Sequence, residues 1–336
     1  MDNQPVPDRI LDLSMAFFGS KALLSAVELG LFTELAPGPL DADALQRRLG
    51  LHPRSSLDFF DALVALGMLE REDGRYRNTA ATDCYLDRAK PSYVGGFLEM
   101  ANDRLYPFWG ALTDGLRTGQ PQNEAKGGED FWGVLYQDPA RLRQFASSMT
   151  GISMGTARAL AHKFPWAEYR TFLDVGTAQG NVPVQLALAH AHLTGTGFDL
   201  PALAPIFADY VASFGLGDRL RFTAGDFFVA PLPTADVLVM GNILGDWSLP
   251  ERKALLARAY EALAAGGALI VYEQFVDDER RERAVSLLAS LNMLIETPGG
   301  GTFTGAECRS WMAAAGFKDT SVAHVAGLDW MAVGFK

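Results

Sequence analysis

The sequence predicts an α/β protein of two domains: a C-terminal doubly wound, mostly parallel sheet preceded by a mainly helical N-terminal domain of winged-helix pattern. Three observations lead there. At 336 residues the chain is long for one hydrophobic core and suits two domains. Up to about residue 165 apolar residues recur at helical spacing. From Tyr169 onward short β-rich runs alternate with amphipathic helices, as in parallel strands joined by crossover helices, an arrangement that puts ligands at the carboxyl ends of the strands. The expected divisions are 1–100, a connecting region 101–165 that contributes to a substrate pocket, and a Rossmann-like domain 166–336.

Taken in order, Ile10, Leu13, Phe17, Phe18, Leu23, Leu24, Val27 and Leu31 mark a helix over 8–35 that Gly30 can break. Short helices are expected over 42–49 and 55–66, then a hairpin turning at Asp73-Gly74. Helix, helix, helix, hairpin is the winged-helix pattern. Its candidate recognition helix carries Arg54 against Asp58 and Asp61, which is wrong for a duplex. Aromatic clusters at Tyr106, Phe108, Trp109 and at Phe131, Trp132, Tyr136 suit either inter-helix core or the wall of an apolar pocket. Residues 115–128 are polar and glycine-rich, hence a loop. Strands are expected over 171–176, 195–199, 220–224, 235–241 and 268–275, with helices over 181–190, 201–214, 250–265 and 280–294. A last helix over 305–315 and two strands, about 319–325 and 329–335, close the chain.

The charge is −11, which argues against nucleic acid or an anionic membrane as the main partner. No apolar run approaching the roughly 20 residues of a bilayer span is evident, and the first ten residues carry two aspartates and an arginine, unlike a signal peptide. Cys84 and Cys308 lie far apart without metal-ligand spacing, so two free thiols and no metal are expected in a cytosolic protein.

The chemistry concentrates after the first of these strands, in Phe172-Leu-Asp-Val-Gly-Thr-Ala-Gln-Gly-Asn181. Small residues, Gly176 and Gly180 among them, let the backbone approach a ligand, and the helix that follows offers free N–H groups. A nicotinamide fingerprint needs glycine at 176, 178 and 181, yet 178 is Ala and 181 is Asn. Asp174 before the loop would repel a pyrophosphate but suits a ligand with an ammonium and a sulfonium. Asp199, followed by Leu200, ends the second strand about 23 residues after Gly176, where a carboxylate accepts ribose hydroxyls. Asp226 and Phe227 end the third, placed for an adenine amine and ring face. Together the three point to S-adenosylmethionine.

With Leu173-Asp-Val-Gly176, Gly225-Asp-Phe-Phe228, Gly245-Asp-Trp247, Gly266-Gly267 before the fifth strand, Ala26-Val-Glu-Leu-Gly-Leu-Phe32 and Ser290-Leu-Asn-Met-Leu294, the chain resembles the small-molecule O-methyltransferases typified by acetylserotonin and caffeate O-methyltransferases. The resemblance covers nearly the whole chain. It implies a class I methyltransferase domain, a winged-helix domain that forms homodimers, and a small aromatic or hydrophobic acceptor. It also implies S-adenosylmethionine held by Gly176, Asp199, Asp226, Phe227, Asn242 and Trp247, and substrate near Met149, Asn292 and Glu296.

One position departs from that family. A histidine that takes the proton from the acceptor hydroxyl normally precedes Asp-Trp; here it is Gly245, and His52, His162, His190, His192 and His324 all lie elsewhere. Thr302 also falls where plant relatives often carry glutamate. Glu273 matches the glutamate that orients the histidine. General-base help is typically worth roughly 10²–10⁴-fold. Asp246 or Glu273 are the candidate substitutes, although an unshifted carboxylate is a poor base for an alcohol. Three readings follow: methylation of an already nucleophilic site (or of oxygen with a carboxylate or water as base); a non-methylating reaction, as in an anthracycline 10-hydroxylase; or silent binding. The glycine is also expected to leave room for a bulkier substrate or a water.

Overall fold

The computed structural model describes residues 6–90, 92–127 and 136–336. It divides into two compact units, Met1–Pro107 and Phe108–Lys336.

In the first unit α1 (Asp8–Glu28) breaks at Gly30, whose φ of 71° is left-handed, before α2 (Leu31–Leu35). The Asp41 carboxylate caps α3 (Ala42–Arg48) by accepting the Ala44 N–H at 2.7 Å, and α4 (Ser56–Ala65) follows. Strand β1 (Leu40–Asp41) pairs with β3 (Arg75–Asn78), which returns on β2 (Leu69–Glu72). Both residues of the turn, Asp73 and Gly74, have positive φ, the combination a two-residue hairpin favours. A capping box at Thr79 starts α5 (Ala80–Leu86), and α6 (Gly95–Met100) follows. Val27, Phe32, Leu45, Phe60, Leu63 and Tyr76 form the core.

Helix α1 corrects one expectation. It is 21 residues long with a mean hydropathy of 1.5, long and apolar enough by length and composition to cross a membrane. Its charges gather at the start (Asp8, Arg9, Asp12), which leaves Lys21 alone in the stretch before Glu28. Ile10, Leu13, Phe17 and Phe18 are exposed.

In the second unit the segment expected as a loop over 115–128 begins inside a helix: α7 (Leu112–Thr118) runs through Gly115 and ends at the left-handed Gly119. Helix α8 (Pro139–Lys163) leads to a seven-stranded sheet ordered β6-β5-β4-β7-β8-β10-β9. The strands are β4 (Thr171–Val175), β5 (Thr194–Asp199), β6 (Leu220–Ala224), β7 (Ala235–Gly241), β8 (Leu263–Glu273), β9 (Lys318–Ala326) and β10 (Asp329–Phe335). The five strands from β6 to β8 are parallel, and β10 runs antiparallel to both β8 and β9. Between them lie α9 (Asn181–Ala189), α10 (Ala204–Ser213), α11 (Leu249–Ala262), α12 (Ala284–Glu296) and α13 (Gly305–Ala315). Strand β8 starts five residues earlier than expected, so Gly266-Gly267 lie within it rather than before it.

Alternation along the strands feeds two apolar layers. Phe172, Val237 and Val239 face one; Leu173, Val175, Leu238 and Met240 face the other. Strand order reverses at β4: β5 and β6 are added on one side and β7 and β8 on the other, the switch point where an open sheet leaves a crevice.

Candidate active site

That crevice holds a cavity of about 240 Å³. Its floor is the β4 turn. Gly176 there has φ 74°, and a side chain would meet the Ile243 side chain at 2.1 Å, so only glycine lets the backbone run this close. Gly180 does not line the cavity: at φ 92°, any Cβ would strike the Phe207 ring at 2.7 Å, and its smallness serves the packing of α10 against the loop. Gly180, expected as a cofactor residue, is thus placed beside the cavity rather than in its lining.

Asp199 receives the N–H groups of Ala178 (2.9 Å) and Leu200 (2.8 Å) and the Tyr136 hydroxyl (3.3 Å); burial nevertheless lifts its pKa to about 6. Asp226 accepts the Phe228 N–H at 2.8 Å. Asp174 accepts the Thr177 hydroxyl at 2.7 Å; burial, with Asp199 nearby, lifts it to about 7. A buried carboxyl with so few donors suits a cationic ligand. All three acids line the cavity, with Gly176, Leu200, Phe227, Asn242, Trp247 and Met149. Trp247 stands edge-on to Phe227 and Phe228, with centroids at 5.8 and 4.6 Å. Its indole N–H is buried and has no partner among the described residues.

The opposite wall follows β7. Asp246 lines the cavity, and its carboxyl accepts no hydrogen bond among the described residues. Burial first, then the Glu273 and Glu296 carboxylates, raise its pKa to about 8 against the opposing pull of Arg252. Glu273 lies behind this wall rather than in it. It is 4% exposed, accepts the Gly245 N–H at 2.9 Å, and burial lifts it to about 7. The expected empty space at Gly245 is also corrected. A Cβ placed there would lie 2.7 Å from Glu273 Oε2, so the glutamate carboxylate occupies that volume. The turn is held from behind: Arg252 donates through Nε to the Trp247 carbonyl at 2.7 Å, and the Gly301 N–H donates to the Gly245 carbonyl at 2.8 Å.

Asn292 and Glu296, on α12, do not line this cavity. The Asn292 side-chain oxygen accepts the Trp109 indole N–H at 2.8 Å, and Glu296 is buried. His190 and His192 bond the Ala161 and Trp166 carbonyls, at the end of the sheet away from the cavity. Phe131 and Trp132 fall outside the described residues. Sequence reasoning missed Tyr136 as a partner of Asp199, and Asn181 and Ser153 as cavity residues. Asn181 had entered only as a reason to reject a dinucleotide loop, and nothing distinguished Ser153 within its helix.

These residues fit S-adenosylmethionine: a glycine-walled turn, one acid at each of three strand ends, aromatic rings, and a buried indole N–H without a partner. Comparison with known proteins decides the family. An O-methyltransferase domain matches residues 109–318, and an O-methyltransferase dimerisation domain matches residues 11–88. The chain belongs to the O-methyltransferase family. It is 48% identical to the tetracenomycin polyketide synthesis 8-O-methyl transferase of Streptomyces glaucescens over 98% of this chain and 97% of that one. It is 39% identical to an N,N-dimethyltransferase of Streptomyces rimosus over 97% and 96%. Its fold matches human N-acetylserotonin methyltransferase in complex with S-adenosylmethionine, with a TM-score of 0.91 at 27% identity, covering 100% and 99% of the two chains. This O-methyltransferase family member is thus an S-adenosylmethionine-dependent methyltransferase acting on a small metabolite. Its relatives support methylation, not the non-methylating or silent alternatives.

Proposed function

We propose that the enzyme methylates a hydroxyl of an aromatic, polyketide-type small molecule, with Asp246 accepting the hydroxyl proton. The observation that carries this is Asp246, which lines the cavity, has no hydrogen-bond donor on its carboxyl among the described residues and is lifted to about 8. A carboxylate at its ordinary pKa is a poor base; one shifted to near neutrality is matched to the task. The 48% identical relative acts in polyketide synthesis, and Phe145 and Phe228, which take no part in holding the donor, suit a planar molecule.

In this reading Asp226 and Phe227 take the adenine, Asp199 and Leu200 the ribose, and Asp174 the cationic end, while Gly176, Asn242 and Trp247 enclose the donor. S-adenosylmethionine supplies an electrophilic methyl group when bound. Met149 shapes the acceptor's space, and Glu273 positions the Gly245–Asp246 turn and raises Asp246 by like charge. Asn292, fixed by Trp109, and Glu296 act at the acceptor's far end. The enzyme works as a homodimer in the cytosol, using the exposed apolar face of α1 as a contact surface, since such a patch is costly in water.

The test is incubation with S-adenosylmethionine and a panel of polycyclic phenols, following S-adenosylhomocysteine release and product mass. Methylated phenols are expected. Release of S-adenosylhomocysteine only with amine acceptors would sink the hydroxyl reading, and light scattering at the monomer mass would sink the dimer.

A further inference from the structure

We infer that Asn181 is a cofactor-binding residue whose side-chain amide, oriented by Ser153, bonds the amino-acid head group of S-adenosylmethionine. The inference rests on reading the cavity as the S-adenosylmethionine site.

Asn181 opens α9 directly after the glycine turn and is 4% exposed; Ser153 approaches from α8 and is 7% exposed. Both line the cavity. Asn181 Nδ2 donates to Ser153 Oγ at 2.9 Å, while Oδ1 is buried with no partner among the described residues. Buried polar groups in native proteins are bonded, and an exception in a binding cavity marks the place of a ligand donor. The acids order the ligand along the sheet. Asp226 at the end of β6 takes the adenine and Asp199 at the end of β5 takes the ribose. The remaining part, the methionine, therefore falls at the end of β4, where Asp174, Gly176 and Asn181 are.

The chemistry matches. With Nδ2 on Ser153, the Oδ1 edge accepts a hydrogen bond from the ammonium. Turned over, the amide accepts the Ser153 hydroxyl and presents its NH₂ to the carboxylate. Both orientations address the same zwitterion, and the place of Asn181 beyond β4 keeps it from the adenosine end.

Titration calorimetry with two ligands separates the parts. S-adenosylhomocysteine carries the amino-acid head; methylthioadenosine has the same adenosine and thioether without it. Asn181→Ala is expected to weaken S-adenosylhomocysteine by roughly ten- to a hundredfold, the effect of a lost hydrogen bond to a charged group. It leaves methylthioadenosine binding unchanged, which also reports that the variant's site is intact. Ser153→Ala gives a smaller loss of the same pattern. The inference is overturned if Asn181→Ala leaves both affinities alone or lowers both alike. Failure of the wild-type protein to bind S-adenosylhomocysteine sinks the underlying reading of the cavity instead.

Discussion

At the ends of β5 and β6, Asp199 and Asp226 receive backbone N–H groups from the residues that follow them and from the glycine turn. Across the cavity, Asp246 receives no hydrogen bond among the described residues, and the charges acting on it are Glu273 and Glu296, opposed by Arg252. Both walls use carboxylates, to different ends. On the first, donors supplied by the fold fix where the carboxylate points, which suits an acid that holds hydroxyls or an amine. On the second, no donor among the described residues fixes the carboxyl, and burial with the Glu273 and Glu296 charges lifts it to about 8, further than Asp199 or Asp174, which suits an acid that takes up a proton.

The largest expected effects separate the two walls by kinetics. Asp246→Asn should lower kcat by roughly 10²–10⁴-fold while leaving S-adenosylhomocysteine affinity nearly intact. Asp199→Asn should do the reverse, weakening S-adenosylhomocysteine by roughly a hundredfold through two lost bonds to a charged acceptor. Calorimetry and single-turnover rates on both variants check this. Equal losses of affinity would erase the distinction between holding and proton-accepting acids.

Those two roles differ in how far they were legible in the sequence. Each acid of the first wall stands where a β-rich run gives way to a turn, so period, spacing and charge marked Asp174, Asp199 and Asp226, which the fold brings to one cavity, without any tertiary knowledge. The second wall depends on contacts between distant segments. That Glu273 fills the space at Gly245 follows from the register of β8 against β7 and the turn after it, and no local pattern carries it. Two glycines of one turn look alike in sequence, and only the approach of Phe207 from α10 sets Gly180, outside the cavity lining, apart from Gly176. Tyr136 reaches Asp199 across 63 positions of sequence. The winged-helix order was readable throughout, whereas the apolar length of α1 was obscured by charges at its first turns.

The next effect is on pH. With Asp246 at about 8, kcat/KM should rise with pH, roughly tenfold per unit below that value, and level off above it. Glu273→Gln keeps an acceptor for the Gly245 N–H but removes like charge, so the midpoint should move to lower pH. A midpoint unmoved by this substitution would mean that Glu273 exerts no electrostatic influence on the proton acceptor.

Stability should respond too, in the opposite direction to activity. Asp174, Asp199, Asp246 and Glu273 all have folded pKa values raised above the ordinary carboxyl, to about 7, 6, 8 and 7. For such groups the stabilising contribution is fully present below the unfolded pKa, near 4, and is lost as pH rises through the folded value. The ligand-free protein should therefore lose stability between about pH 4 and pH 8, measured as a falling urea midpoint. Asp236 and Asp277 are lowered and act only below about pH 4, so they do not mask the trend. Asp246→Asn should flatten the slope most, since its value is raised furthest.

The smallest effect probes the contact that distinguishes the second wall. Gly245→Ala places a methyl 2.7 Å from Glu273 Oε2, closer than two such atoms tolerate, while the backbone at 245 is not in the left-handed region. The carboxylate is the far end of a flexible side chain and can retreat, so the cost should be about 1 kcal/mol, at the low end for overpacking. Retreat also strains the bond from the Gly245 N–H that fixes the turn bearing Asp246. In a Glu273→Ala background the same methyl meets open space, and the cost should vanish. A double-mutant cycle by urea unfolding measures the coupling directly. Additive effects would mean that Glu273 does not fill the space at Gly245, and that a substrate or water has access to it after all.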